Sequence, residues 1–135
     1  MRQFEDDDAA EVAFYHAFAN CDIKAMESVW ARDEVICIHP GATPLRGYDV
    51  VIRSWSNILL NTQPPRLQFD ILSRTANKDL AVHIVKESIA PADVPFASAV
   101  ILATNVYVRD NHGGWLLYSH HASTTRQESE KHTLQ

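Results

Sequence analysis

The first third of the chain shows apolar residues at the spacing of an α-helix. From Asp6 to Cys21 they recur every three or four positions, and three aspartates stand at the start, where a helix dipole favours negative charge. This pattern predicts a first helix with one buried face. That face consists of Ala10, Phe14, Ala17, Phe18 and Cys21.

Two further helices are predicted before the Pro64-Pro65 pair. Asp22 is a suitable N-cap for a short second helix, which the charged residues 32–34 close. A turn through Pro44 to Gly47 precedes a third helix, which must stop before the two prolines. The apolar face of the second helix carries Ile23, Met26, Val29 and Trp30. The apolar face of the third carries Val51, Trp55, Ile58 and Leu59.

The remaining elements have the composition of β-strands. Val35–His39 is rich in β-branched residues and ends at Pro40-Gly41, which indicates a short strand entering a turn. Four long extended runs follow, joined by turn residues that suit antiparallel hairpins. Because strands of 10 to 12 residues exceed the usual length, we expect β-bulges and strong curvature. The runs are Arg66–Thr75, Leu80–Ile89, Ser98–Arg109 and Trp115–Ser123.

The length of the chain and the order of its predicted elements are those of one α+β domain. The 135 residues suffice for a single core, which we expect over residues 1–123, followed by a polar tail at 124–135. The net charge of −5 with scattered Lys and Arg argues against nucleic-acid binding. Neither a membrane span nor the apolar segment of a signal peptide is present, and two cysteines without metal spacing suit a reducing compartment. These observations predict a cytoplasmic location and no membrane partner.

Several short segments, in this order, carry a family resemblance. They are Phe14 to Phe18, the Asp22 turn, Val29 to Ala31, Val35 to Gly41, Leu45 to Gly47, Ser54-Trp55 and Gly114 to Ser123. Together they resemble the NTF2-like superfamily, in particular its SnoaL-like branch. The resemblance implies a cone-shaped fold of the cystatin-like type, in which three N-terminal helices pack on the concave face of a strongly curved antiparallel sheet and enclose a pocket. It also implies no cofactor. The superfamily includes isomerases, cyclases, dehydratases and dimerising adaptor domains, so fold does not decide activity.

The resemblance also suggests residues for the pocket. His39 precedes the turn proline, where ketosteroid isomerases carry their general base, and a neutral imidazole can accept a proton. Asn105 lies about where those enzymes place a protonated Asp, so it is a candidate hydrogen-bond donor to a ligand carbonyl, with Tyr15 or His120 as further partners. The alternatives are that His39 only bonds the backbone near the turn and that Asn105 is satisfied by its sheet neighbours.

Strand alternation selects further candidates. It places His83, Val85 and Glu87 on one face, and the resemblance turns that face inward, where Glu87 could pair with His39. An exposed strand Glu is the commoner alternative. Trp30 and Trp55 are interpreted as pocket walls or, more simply, as core.

The last predicted strand presents two different faces. By resemblance to the kinase association domains, Tyr118, His120 and Ala122 face the pocket. The opposite face would then suit a sheet-to-sheet homodimer, since it mixes large apolar and polar residues. It carries Trp115, Leu117, Ser119, His121 and Ser123.

Two classes of function remain open. The first is binding of a small apolar or carbonyl-containing ligand, with or without cofactor-free proton transfer by His39. Steroid isomerisation is disfavoured, because His replaces the Asp base and Phe14 stands near the position of the catalytic Tyr. The second is a dimerising adaptor domain without catalysis. A zinc site is disfavoured because its potential ligands share no metal-binding spacing within one element. Those ligands would be His39, His83, His120 and Glu87.

Overall fold

The computed structural model describes residues 4–93 and 99–126. Over these residues the chain forms three helices and six strands. Two short strands lie between the second and third helices, and four long strands follow the third helix. The helices are α1 (Asp7–Ala19), α2 (Ile23–Val29) and α3 (Tyr48–Leu60). The strands are β1 (Ile36–Ile38), β2 (Leu45–Arg46), β3 (Arg66–Ala76), β4 (Leu80–Ala90), β5 (Ala99–Arg109) and β6 (Trp115–Thr124).

Two aspartates begin the first two helices. The Asp6 and Asp22 carboxylates each accept a hydrogen bond from a backbone amide three residues on, which satisfies donors that a helix start leaves free. The Asp22 cap agrees with the sequence prediction. α2 is shorter than predicted, however, because Trp30 has an extended backbone and forms a parallel bridge with Leu117.

The sheet is mixed, which corrects the expectation of a wholly antiparallel one. Its strand order is β2-β1-β6-β5-β4-β3, and the four long strands pair antiparallel as the hairpin turns predicted. β1, in contrast, runs parallel to β6. Hairpin turns determine the direction of consecutive strands only, and β1 and β6 are far apart in the chain. β2 was also missed, since its two residues fall in a predicted turn.

Two β-bulges interrupt the long strands, as their length predicted. Leu72 is the extra residue in β3 and Tyr118 the extra residue in β6. An extra residue reverses which face the following side chains occupy. Trp115 and Leu117 therefore point into the core and are 7% and 0% exposed, although strict alternation had placed them on the outer face.

The helices and the inner sheet face enclose one main apolar cluster. Its largest members include Phe14, Met26, Trp30, Trp55 and Leu117. Cys37 is buried and Cys21 half-buried, and both are free thiols. β6 ends at Thr124, one residue beyond the predicted strand, and Thr125 still hydrogen-bonds to Val100. The rest of the predicted polar tail, residues 127–135, lies outside the described residues. No helix in the described part of the chain is long and apolar enough to cross a bilayer.

Candidate functional site

A polar cluster occupies part of the interior beside the apolar core. The helical part of this cluster is a stripe on α1 formed by Asp7, Glu11 and Tyr15, whose spacing of four residues puts them on one face. The sheet contributes inward positions of β4, β5 and β6. The buried polar and charged members are Asp7, Glu11, His83, Glu87, Asn105 and His120, each no more than 2% exposed.

Tyr15 and Glu87 form the first pair of the cluster. The Tyr15 hydroxyl donates to Glu87 Oε2 at 2.6 Å and accepts from Asn105 Nδ2 at 3.0 Å. Burial and the nearby Glu11 charge raise the pKa of Glu87 to about 7, although the Tyr15 hydrogen bond works in the opposite direction. Burial, followed by the Glu87 charge, holds the pKa of Tyr15 well above its usual range. Tyr15 is therefore neutral, while Glu87 can exchange a proton near pH 7.

His120 forms the second part of the cluster. Its Nδ1 lies 2.6 Å from Asn105 Oδ1, and its ring packs against Phe14 at a centroid distance of 5.0 Å. Burial lowers the pKa of His120 to about 3, and the neighbouring His39 acts in the same direction. The imidazole is thus neutral at physiological pH. Its Nε2 has no hydrogen-bond partner among the described residues.

Asn105 connects these two parts. Its amide nitrogen donates to Tyr15 and, at 3.3 Å, to Glu11 Oε2, and its oxygen faces His120. All of its amide protons are therefore engaged within the protein. The predicted direct donation from Asn105 to a ligand stays a prediction.

A chain of ionisable side chains extends from the cluster to the surface. His83 Nε2 lies 2.7 Å from Asp7, and both Asp7 oxygens accept from the Arg74 guanidinium at 2.7 and 2.8 Å. His83 Nδ1 lies 2.9 Å from Glu11 Oε2, a close charge contact without the alignment of a hydrogen bond. The Arg74 hydrogen bond, with help from His83, lowers the pKa of Asp7 to about 2. Burial lowers the pKa of His83, but the contacts with Glu11 and Asp7 outweigh it and the net shift is upward.

The same chain defines the candidate cation ligands. In residues 4–93 and 99–126, Asp7, Asp8 and His83 are the group whose ligand atoms all lie within 4.8 Å of one another. The Arg74 guanidinium already contacts both aspartates, at 2.7 and 3.6 Å, and supplies the positive charge there. The potential zinc ligands named in the sequence analysis bond to different partners. His83 bonds to Asp7, Glu87 accepts from Tyr15, and His120 bonds to Asn105.

His39 lies beside the cluster, on the helical side. Its Nε2 is 2.9 Å from the Ser54 hydroxyl of α3, and its ring meets Trp55 edge-on at 5.0 Å. Gly41, with φ of +73°, allows the tight turn that follows it. Burial lowers the pKa of His39, so the ring is neutral near pH 7. The predicted pairing with Glu87 is not formed, because the carboxylate turns to Tyr15 instead.

Trp30, Trp55 and Tyr118 occupy different surroundings. Both tryptophans are 1% exposed and pack around Phe14, which fits the core interpretation. Tyr118 is half-buried and, together with Trp30, lines a surface cavity of about 890 Å³ between α2, residues 31–33 and the β5–β6 turn. The bulge at Tyr118 removes its side chain from the face that carries His120.

Sequence reasoning missed part of the cluster. Asp7 is predicted only as part of an acidic helix start, and Glu11, Arg74 and Tyr107 are absent from the predicted site residues. The Tyr107 hydroxyl donates to Glu11 Oε2 at 2.8 Å. The available signal was the spacing of Asp7, Glu11 and Tyr15, which places three polar groups along one side of an otherwise apolar helix.

Comparison with known proteins agrees with this architecture. A family model described as the SnoaL-like domain matches residues 8–127. The chain belongs to the SnoaL-like family. The predicted family and cone-type α+β fold are thereby confirmed. No curated protein matches this SnoaL-like chain.

Several solved structures are similar to this SnoaL-like chain. A candidate calcium/calmodulin-dependent protein kinase type II association domain from Thiobacillus denitrificans is 38% identical, with 93% of this chain and 100% of that one covered and a TM-score of 0.87. A candidate dehydratase of the NTF2-like family from Streptomyces avermitilis is 32% identical, covering 87% and 92%, with a TM-score of 0.75. A ketosteroid isomerase-like protein from Erwinia carotovora atroseptica, 16% identical over 89% and 94%, shares the fold with a TM-score of 0.74.

Proposed function

We propose that this SnoaL-like domain binds a small carbonyl- or hydroxyl-bearing molecule beside Glu87 and His120 and moves a proton on it without a cofactor. The observation that carries the proposal is the Glu87 carboxyl, buried against the Tyr15 hydroxyl at 2.6 Å with its pKa raised to about 7. A general acid or base works best when its pKa lies near the working pH. Burial has given Glu87 that property.

The atoms left free suit proton transfer. Glu87 Oε2 is held by Tyr15, whereas Oε1 has no partner among the described residues, and Glu87 and His120 each remain 2% exposed. In the proposed step, ionised Glu87 takes a proton from a carbon next to a carbonyl, leaving an enolate. Protonated Glu87 then returns that proton to another atom of the same molecule. Isomerisation of this kind needs neither oxidant nor reductant.

His39 and His120 have supporting roles in this proposal. Both are neutral near pH 7, because burial lowers the pKa of each ring. His120 Nε2 can accept a hydrogen bond from a ligand hydroxyl. His39 remains a second candidate base, with Ser54 orienting its ring at 2.9 Å.

The energetic cost of the polar cluster also favours a function. Replacing buried charged and polar groups by well-packed apolar ones is often neutral or stabilising in proteins. This domain instead buries the three carboxylates Asp7, Glu11 and Glu87 beside its apolar core. The candidate dehydratase at 32% identity is consistent with proton-transfer chemistry on this fold.

Ligand titration tests the proposal. We expect ring signals of His120 and His39 to shift in NMR spectra when the protein is titrated with ketones, hydroxyketones and aromatic acids. Exchange of deuterium at the carbon next to the carbonyl of a bound ketone should be lost in Glu87→Gln and retained in Glu5→Gln, a matched change at an exposed glutamate. If the histidine signals respond to none of the compounds, the proposed ligand binding is wrong. If deuterium exchange persists in Glu87→Gln, the proposed proton transfer by Glu87 is wrong.

A second candidate function, dimerisation as an adaptor domain, rests on the outer sheet face. This face carries Leu102, which is 40% exposed, next to Ile84, Thr104, His121 and Ser123 around a shallow depression of about 270 Å³. The candidate kinase association domain at 38% identity favours an assembly role. We expect Leu102→Glu to halve the mass measured by light scattering, while Val50→Glu, equally exposed at 40% on α3, leaves it unchanged. A wild-type mass of one chain would remove this candidate.

A further inference from the structure

The orientation of the Asn105 amide is decided by its neighbours. One end of this amide faces His120 Nδ1 at 2.6 Å, and the other faces the Tyr15 hydroxyl at 3.0 Å and Glu11 Oε2 at 3.3 Å. Since an amide has a donor end and an acceptor end, only one orientation can satisfy all three neighbours.

Glu11 determines which orientation that is. Glu11 Oε2 lies 3.3 Å from Asn105 and accepts a hydrogen bond there, which only the amide nitrogen can donate. Its Oε2 also accepts from Tyr107 at 2.8 Å, and the side chain is 1% exposed, so it has little freedom to turn away. Tyr15 agrees with this requirement, because its one proton is already donated to Glu87.

The consequence reaches His120. With the nitrogen of Asn105 directed at Glu11, its oxygen must face His120, and an oxygen can only accept. A neutral imidazole carries one proton, so that proton must be on Nδ1 and Nε2 must present a lone pair. The opposite tautomer would place two lone pairs 2.6 Å apart.

We infer that Glu11 is a positioning residue that fixes the tautomer of His120 through Asn105, so that Nε2 is a hydrogen-bond acceptor toward a ligand. A site with this acceptor selects molecules that place a hydroxyl or N–H opposite His120, and it discriminates against a bare carbonyl oxygen there. The role of His120 Nε2 in ligand binding rests on the proposed function. The tautomer of His120 follows from the hydrogen bonds alone.

Histidine ring spectra without any ligand test the inference. In the wild-type protein at pH 7, long-range proton–nitrogen NMR correlations of His120 should show a single tautomer protonated on Nδ1. Glu11→Gln keeps the shape of the side chain but adds a donor, which lets Asn105 turn, so a measurable fraction of His120 should move its proton to Nε2. Tyr107→Phe removes a neighbouring hydrogen bond but leaves the Glu11 carboxylate, and it should keep the wild-type tautomer.

Several outcomes would overturn the inference. Protonation of wild-type His120 on Nε2 would do so, as would a folded Glu11→Gln variant with the tautomer unchanged. If Glu11→Gln does not fold, through-space contacts in the wild-type protein decide: Asn105 amide protons near the Tyr107 ring support the inference, and amide protons directed at the His120 ring contradict it. A protein with the expected tautomer that binds none of the tested compounds would refute the proposed function while leaving the tautomer inference intact.

Discussion

The apolar and polar halves of the interior are equally buried but chemically opposite, and α1 contributes to both. Phe14 packs edge-on against Trp30 and Trp55, at 6.3 and 5.6 Å. The next residue, Tyr15, turns its hydroxyl to Glu87 and Asn105. Burial stabilises the first half through the hydrophobic effect, whereas the second half must satisfy every polar group to avoid a penalty. Burial alone therefore does not distinguish the apolar half, which holds the fold together, from the polar half, which forms the candidate site. The change in stability on substitution should distinguish them.

The largest expected effect is in the apolar half. We expect Trp55→Ala to lower the free energy of unfolding by about 3–5 kcal/mol, because it leaves a cavity among Phe14, Phe18 and His39. Urea denaturation followed by circular dichroism measures this loss. A loss below about 1 kcal/mol would mean that Trp55 borders open space and is a pocket wall.

Substitution of Glu87, in the polar half, should have the opposite sign above neutral pH. The raised pKa of Glu87, about 7, means that the folded protein binds a proton which the unfolded chain releases near its ordinary value of 4.5. Stability contributed by this group therefore falls as pH rises from about 4.5 to 7. We expect Glu87→Gln to raise the free energy of unfolding by about 3 kcal/mol at pH 8 and to change it little at pH 4.

The comparison with Glu5→Gln makes this measurement specific. Glu5 is exposed, so its amide variant should follow the wild-type pH profile. Equal stability of Glu87→Gln and wild type at pH 8 would show that Glu87 ionises at its ordinary pKa, and the proposed base would lose its support.

The smallest effect is expected at Asp7, which joins the buried cluster to the exposed Arg74. Asp7 has a pKa lowered to about 2, so its stabilisation is present above about 3.8 and is lost as pH falls through 2. His83 has a raised pKa, so its contribution is present below 6.5 and is lost as pH rises through its folded value. We expect Asp7→Asn to cost about 2 kcal/mol at pH 5, shrinking toward pH 2, in denaturation measured across that range. Asp8→Asn, at an exposed neighbour, serves as control, and an equal cost for both variants would contradict the assigned pairing.

Local sequence patterns were sufficient for most of the secondary structure. The described ends of the four long strands lie within one residue of their predicted limits, since turn residues such as Asn77 and Gly113 end them locally. The predicted first residue of the third strand, Ser98, lies outside the described residues. Alternation put His83 and Glu87 on one face of β4 and the resemblance turned that face inward; both are buried, because no bulge lies between them. The same rule was wrong for Leu117, where one extra residue reversed the faces.

The candidate site was predicted less completely. Tyr15, Glu87, Asn105 and His120 are brought together in the interior, and their ligand-binding role stays a prediction. His39 lies beside them but is bonded to Ser54, and Tyr118 lies elsewhere. Hydrogen-bond partners joined across 72 to 96 residues of sequence, as in Tyr15–Glu87 and Tyr107–Glu11, leave no local signal in the chain.

The sequence by itself determined the three helices and the four long strands, because helical and strand periodicities and turn chemistry are local properties, and its short motifs carried the resemblance to the family. Only the tertiary structure decided the parallel β1–β6 pairing, the position of the bulges and the partners of each buried polar group. These features depend on which side chains, distant in the sequence, pack together in the buried interior. There a single orientation of Asn105 satisfies Glu11, Tyr15 and His120 at once.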